Sequence, residues 1–355
     1  MARYLVTGNL SSTETREIKP FLTHPEVEFL HTGPRRDIFD LQRRPTREIL
    51  ADLRRGKFDL VLAGNTFFPH FNPRKNFFRN VANLAGKLAR EPRLALGAWL
   101  ARADFPAQMV GLDFEDSPII DNARFHVLRR SVCYFKRELP QNPCNAFLYT
   151  TAKTECNGNV LHTAPFRNWL EKLRPVSLGI DDATAAKLAS LEAKKETDVF
   201  FAGDVQNRPN RLAGLRQLRQ LAAEGFKIDL PEGRISRDEF LQRCARAFIV
   251  WSPEGFGWDC HRHYEIAAAR SVPLMQTPTI RRYAPLADGE HALYYGVEGE
   301  HLAERVRQAL LNRARLAEMG LAAQRHVLQW HTHGALGRYI IEETKRAPVG
   351  QEGAK

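Results

Sequence analysis

Glu254, Gly255, Phe256 and Gly257 make an acid–glycine–aromatic–glycine run, and a second acid, Glu265, follows with ten residues between the two glutamates. An apolar stretch ends at Trp251, just before this run, and a helical pattern opens after Asp259, a residue type suited to cap a helix start. A strand, a glycine loop and a helix in that order leave backbone N–H groups and the positive end of a helix at the carboxyl edge of a sheet. Open α/β sheets bind ligands at that edge, and a diphosphate is held there readily. Ionised carboxylates beside it accept hydrogen bonds from sugar or ribose hydroxyls. Glu265 also has a plainer reading, a salt bridge to His261 or Arg262 one turn back on its helix. Cys260, His261 and His263 invite a metal reading. However, residues two apart on a helix do not share a face, and no second cluster of ligands is evident, so no metal is expected.

These residues need elements to hold them. Short apolar runs at Tyr4–Val6, Val27–Leu30, Phe58–Ala63 and Leu94–Trp99 read as strands, separated by amphipathic or polar segments such as 46–55, which stops at Gly56. The alternation is that of a doubly wound α/β layer. It pauses between about Asn142 and Ser177, where Asn, Pro, Gly and Thr are dense. It then resumes with strands at 198–202, 226–230, 248–251 and 272–275 and helices at 207–224, from Ser236, and at about 261–270. Ser236 with Glu239 three residues on makes a capping box. From His301 the chain reads as helical to about Lys345. The expected organisation is an N-terminal domain over residues 1–165, a C-terminal domain over 166–335, and a helix with a frayed tail over 336–355.

The chain has 355 residues, 43% hydrophobic and 26% charged, with a formal net charge of +11. That length suits two packed domains. The basic balance suits polyanions such as a phosphorylated ligand or an anionic membrane surface. Its cations are scattered, and no nucleic-acid-binding motif is present, so nucleic acid is not an expected partner. The five cysteines, Cys133, Cys144, Cys156, Cys244 and Cys260, form no CxxC and are odd in number, which points to free thiols and a reducing compartment. No signal peptide and no membrane-spanning run is read, so a cytoplasmic protein is expected, with peripheral contact to the inner face of a membrane. Phe67, Phe68, Phe71, Phe77 and Phe78 are expected in the core, the alternative being an apolar lip for a lipid-linked acceptor.

The segment from EGFG through a Glu- and Ala-bearing helix, a VPL strand and DGEHAL resembles the donor half of GT-B glycosyltransferases. It is most similar to the spore-maturation-protein-like group, and more distantly to exostosins and to retaining enzymes with a Glu-x7-Glu motif. Glu254, Gly255, Phe256, Gly257, Glu265, Val272, Pro273, Asp288 and Gly289 carry the match. The departures are the longer spacing between the acids, and Arg270 and Ser271 where a small residue usually precedes the Val-Pro strand. FAGDVQNRPNRLAGL resembles the opening of the donor domain, and SPIIDNARFHVLRRSVCYFKREL a stretch near the end of the acceptor domain.

The resemblance implies two Rossmann-like domains facing each other across a cleft, and transfer of a sugar from a nucleotide-diphosphate sugar to a hydroxyl of a glycan or lipid-linked acceptor. Bacterial surface polysaccharide or lipopolysaccharide synthesis would be the setting. Arg208 and Arg211 would neutralise the donor phosphates, joined by Arg262 or His263 from the longer loop, with Arg281 and Arg282 as weaker candidates. The nucleotide-sugar is a co-substrate, and no cofactor or metal is required. An inverting enzyme needs a base beside the acceptor hydroxyl. Asp113 and Asp116 in GLDFEDSPIID are the candidates, with Asp121, His70 and His126 open beside them. Helix capping next to Pro118 is the plainer role for these acids. The alternative function is a non-catalytic GT-B-like protein that binds a nucleotide-sugar or a glycan.

Overall fold

A computed structural model describes residues 3–8, 10, 16–33, 41–64, 76–90, 94–100, 102–121, 124–152, 155–160, 168–205, 209–297 and 300–347. The chain divides into two compact units. Unit 1 comprises Met1–Val176 with Gly337–Lys355, and unit 2 comprises Ser177–Leu336. The sequence reading put the change of domain near residue 165; the division of the structure falls at Val176 and Ser177.

Unit 1 is built on a six-stranded parallel sheet of order β2-β1-β3-β4-β5-β8. Its strands are β1 (Tyr4–Gly8), β2 (Val27–His31), β3 (Leu60–Ala63), β4 (Gln108–Asp113), β5 (Cys133–Lys136) and β8 (Leu173–Pro175). β3 reads LVLA and is buried at every position, as expected of a parallel strand covered on both faces. Helices α1 (Thr46–Arg54), α2 (Phe77–Arg90), α3 (Leu94–Leu100) and α4 (Phe125–Arg130) and a separate antiparallel pair, β6 (Leu148–Ala152) with β7 (Glu155–Val160), complete its described part.

Two expectations fail here. Leu94–Trp99 is helix α3 and not a strand. A seven-residue apolar run has no diagnostic period, and its Leu and Ala residues are strong helix formers. Phe77 and Phe78 are not core: they are 65% and 81% exposed on α2. Phe67, Phe68 and Phe71 lie outside the described residues.

Unit 2 carries a five-stranded parallel sheet of order β10-β9-β11-β12-β13. The strands are β9 (Thr197–Phe200), β10 (Ile228–Asp229), β11 (Ala247–Trp251), β12 (Val272–Gln276) and β13 (Leu293–Tyr295). Helices α5 (Asp182–Ala189), α6 (Pro209–Ala223), α7 (Arg237–Arg246), α8 (His261–Ala268), α9 (Leu302–Leu310) and α10 (Arg313–Trp330) surround it. The last helix, α11 (His333–Arg346), starts in unit 2 and runs on into unit 1. α6 passes close to the sheet because it has a glycine at the crossing: a Cβ on Gly214 would lie 2.3 Å from the Trp251 ring. The Trp251 indole donates to the Tyr295 hydroxyl at 2.9 Å, which satisfies the polar atom of this large buried side chain.

Ser236 caps α7 and accepts from the Glu239 N–H at 3.1 Å. The return arm of the capping box is absent, because the Glu239 carboxylate accepts from Arg243 instead. Asp259 does not cap α8. The cap is Cys260, and the buried Asp259 carboxylate accepts from the Leu178 N–H and the Tyr264 hydroxyl. Among the described residues Cys133, Cys144, Cys244 and Cys260 are free thiols, and no helix is long and apolar enough to cross a membrane.

Candidate functional site

In unit 2 the connection after β9 leads to β10 on one side of the sheet, and that after its neighbour β11 leads to β12 on the other. The loops that follow such a switch of direction diverge and leave a crevice at the carboxyl ends of the strands. A cavity of about 1080 Å³ opens there, between the loop after β9 (Phe201–Val205), the loop after β10 (Leu230–Ile235), the first turns of α7 and the side of α8. Its size suits a ligand larger than a single sugar. Its charged lining mixes Arg219, Arg234, Arg237 and Arg262 with Asp204, Glu232 and Glu265.

Two sequence candidates, Glu265 and Arg262, meet in this cavity. Glu265 is only 8% exposed. Its carboxylate accepts from the Arg237 guanidinium at 2.9 Å, not from His261 or Arg262. Arg237 also stands 3.7 Å from Asp181, with most of its side chain in solvent. The pair leaves Glu265 with free lone pairs at the cavity wall, the arrangement that accepts a diol. Arg262 reaches over the loop after β9. A Cβ on Gly203 would lie 2.8 Å from its terminal nitrogen, so a glycine at 203 lets the cation rest there. Its guanidinium also faces the Phe240 ring at 5.9 Å. Arg237, Phe240 and Gly203 were not singled out from the sequence. The Ser236 cap was the usable signal for Arg237, since it puts residue 237 in the first turn of a helix pointing at the ligand edge.

Arg211 takes a different part from the one expected. It is 7% exposed. It donates to the Glu254 carbonyl through Nε at 3.2 Å and Nη2 at 2.6 Å, and to the Asp204 carbonyl through Nη1 at 2.8 Å. A buried fork committed to three carbonyl bonds ties two loops together and is not presented to a phosphate. Arg208 lies outside the described residues. Glu254 is held from the other side by the Gln276 side chain, which accepts its N–H at 3.1 Å, while its carboxylate accepts from Asn210 at 3.4 Å. Gly255 closes a turn onto the Gly257 carbonyl and Phe256 projects into solvent. Glu254, Gly255, Phe256 and Gly257 are not among the residues lining the cavity; Arg211 couples their loop to Asp204 on its rim.

His263 also departs from the expectation of a diphosphate contact. It is buried between the Trp258 carbonyl, to which Nε2 donates at 2.9 Å, and the Ser252 hydroxyl, 2.8 Å from Nδ1. Burial holds its pKa down to about 4, so it is a neutral packing group. His331 is treated alike: Nε2 donates to the Ala284 carbonyl at 2.7 Å, Nδ1 meets Ser177 at 2.9 Å, and burial brings the ring to about 4. Arg282 lies over the Trp258 and Tyr294 rings and bonds the Tyr294 hydroxyl, and Arg281 is exposed. Among the described residues no group of three His, Cys, Asp or Glu side chains is placed to hold a metal ion.

The acids of unit 1 sit at the carboxyl end of β4. Asp113 is 1% exposed, pairs with the fully buried Lys136 at 3.1 Å, and accepts from the Tyr134 hydroxyl at 3.1 Å. Burial alone would raise its pKa, but Lys136 and Arg124 beside it hold the carboxyl below the usual range. A carboxylate so enclosed braces the strand ends and is not positioned to take a proton from an acceptor, contrary to the expectation for Asp113. Asp116 is half-exposed and shared by Arg16, at 2.7 Å, and Arg137. Asp121 is exposed, His126 is half-buried on α4, and His70 lies outside the described residues. Tyr134, Lys136, Arg137 and Glu138 of YFKREL all belong to this buried charge lattice. Glu17, which the sequence did not point to, sits against Gly64 just past β3. Burial pushes its carboxyl up, with Arg124 pulling the other way.

No protein-family model and no curated protein matches the chain. Solved structures do. A glycosyltransferase from Rickettsia africae superposes with a TM-score of 0.55 at 10% identity, covering 99% of this chain and 100% of that one. Sucrose-phosphate synthase from Thermosynechococcus elongatus gives 0.50 at 11%, covering 98% and 99%. Anabaena HepE in complex with UDP gives 0.50 at 12%, covering 97% and 100%. At such identities the likeness is one of fold, and with two parallel-sheet α/β units matched over nearly the whole length, the chain has the GT-B fold.

Proposed function

We propose that the protein is a glycosyltransferase that takes a sugar from a nucleotide-diphosphate donor bound in the unit 2 cavity. The observation that carries this reading is the meeting of buried Glu265, its partner Arg237 and the cation Arg262 around a cavity of about 1080 Å³ at the switch point of a parallel sheet. Glu265 accepts the ribose hydroxyls, and Arg262 neutralises the diphosphate over the Gly203 loop. In the transfer, the acceptor oxygen forms a bond to the anomeric carbon as the bond to the diphosphate oxygen breaks. Charge therefore grows on the leaving diphosphate, where a fixed cation is most effective.

Unit 1 is given the acceptor, a hydroxyl of a glycan or lipid-linked glycan of the bacterial surface. The EGFG, DGEHAL and YFKREL runs support placing the chain near the spore-maturation-protein-like group. Asp116, half-exposed just past the carboxyl end of β4, is the candidate proton acceptor.

The test is thermal stability of the purified protein against UDP, GDP, ADP and their sugar conjugates, with and without divalent metal. A ligand that binds only the native state raises the melting temperature. A selective shift that disappears in Glu265→Ala supports the donor site. A cooperative melt that no nucleotide moves overturns it. With a donor in hand, Asp116→Asn should abolish transfer while leaving the shift intact.

A further inference from the structure

We infer that α2 is a membrane-surface helix that lays unit 1 on an anionic lipid bilayer. The helix runs from Phe77 to Arg90 and is properly begun, since Asn76 accepts the Arg79 N–H at 2.8 Å. At about 100° per residue, Phe77, Phe78, Val81, Leu84 and Leu88 fall within one arc together with the alanines of the segment. Arg79, Asn83, Lys87 and Arg90 fall on the opposite arc, and no apolar residue interrupts them. Most of the apolar arc reaches solvent, and so do Arg79 and Asn83 of the basic one, so both can meet a surface at once. Phe77 is 65%, Phe78 81% and Val81 41% exposed, Leu84 and Leu88 are half-buried, and none of these residues belongs to the buried core cluster of unit 1.

Charge decides the occupant. Every charged residue of α2 is basic, there is no acid in it, and the chain as a whole carries +11. A second copy of so basic a chain would bring like charges together. An anionic bilayer supplies the opposite charge, and it accepts an apolar face without needing a complementary shape. At about 1.5 Å per residue the helix is roughly 21 Å long, too short to span, so it lies in the interface plane. The inference does not rest on the donor reading, although a lipid-linked acceptor would be met in that position.

The experiment is co-sedimentation of the full-length protein with vesicles of phosphatidylcholine alone and with roughly one-third phosphatidylglycerol, at low and high salt. Binding is expected to the anionic vesicles only, and to weaken with salt. The double variant Phe78→Ser with Val81→Ser should partition about tenfold less or worse at an unchanged melting temperature, because both side chains are exposed. Phe78→Trp should give an emission blue-shift on adding anionic vesicles. Failure of the wild type to bind, undiminished binding of the double variant, or an unshifted Trp emission would overturn the inference. So would a concentration-dependent dimer that the double variant abolishes, which would assign the face to a second copy. The nucleotide-induced melting shift is read in the same preparation, so a failed lipid test leaves the donor reading standing and a failed nucleotide test leaves this one.

Discussion

Arg211 donates two hydrogen bonds to the main-chain carbonyl of Glu254 and a third to that of Asp204. Both Arg211 and Glu254 read from sequence as groups that face a ligand. The structure instead has one hold the other's backbone, which fixes the glycine turn after β11 relative to the cavity rim. Replacing Arg211 by alanine removes a buried fork and leaves carbonyls without their donor, at a cost of about 1–3 kcal/mol. Lysine keeps the charge but not the planar fork, so Arg211→Lys should recover less than half of that loss. Urea titration of the two variants measures it. If Arg211→Lys equals the wild type in stability while nucleotide affinity collapses, Arg211 acts on the ligand directly.

The enclosed pair Asp113–Lys136 gives a second expectation. Lys136→Met leaves Asp113 ionised in the interior without its nearest counter-charge, and breaking a buried pair in this way costs roughly 3–5 kcal/mol. The double variant Lys136→Met with Asp113→Leu removes both charges and should return most of that stability, although Arg124 then loses a counter-charge and the Tyr134 hydroxyl its acceptor. Chemical denaturation of the three proteins tests the pair. A single variant that loses less than about 1 kcal/mol would show that this lattice does not brace the edge of the sheet.

Acid should loosen unit 2 before it reaches the range in which carboxylates ordinarily titrate. His263 and His331 are held near pKa 4 by burial, against an ordinary value of 6.5. The unfolded chain therefore binds more protons than the folded one between those values. Stability is whole above about pH 6.5 and falls as pH drops toward 4, by up to about 3 kcal/mol per ring. Asp113 and Asp116, held below their usual range, add loss in the same direction at lower pH, and Glu17, pushed up, opposes it. Melting temperatures between pH 7 and pH 4.5 report the slope. His263→Asn should flatten it, and a slope unchanged by that substitution would mean that His263 is charged in the native state.

The alternation of strands and helices was legible because parallel strands buried on both faces are continuous apolar runs. The Ser236 cap was legible because its chemistry is local. Leu94–Leu100 failed because a short apolar run has no diagnostic period, and Phe77 and Phe78 failed because burial was assumed of aromatics that the structure turns outward. Glu265 and Arg262, singled out for their place after a strand and a turn, both line the cavity. Arg211, Asp259 and His263 were misread for a common reason: a polar residue near a ligand edge serves equally well as a buried brace, and only three-dimensional partners distinguish the two. Gly203 left no readable trace, since its need for a missing side chain arises from Arg262, far away in sequence.

That distant dependence yields the last prediction. A side chain at 203 would meet the Arg262 guanidinium at 2.8 Å and the Phe201 ring at 3.2 Å; the nearer obstacle is the far end of a flexible residue, so the fold can yield by swinging Arg262 away and shifting the ring by a few tenths of an ångström. Gly203→Ser should therefore leave the melting temperature of the free protein within a few degrees of the wild type. It should weaken nucleoside-diphosphate binding by about tenfold, the equivalent of about 1.4 kcal/mol. Arg262→Ala should lose at least as much, and the double variant no more than the worse single, since both act on one displaced cation. Calorimetric titration with a nucleoside diphosphate and with the nucleoside alone separates the causes. If Arg262 meets the phosphates, the nucleoside binds all four proteins alike and the diphosphate does not. If the nucleoside is affected equally, Gly203 shapes the cavity for the base or ribose, and Arg262 is not the diphosphate's partner.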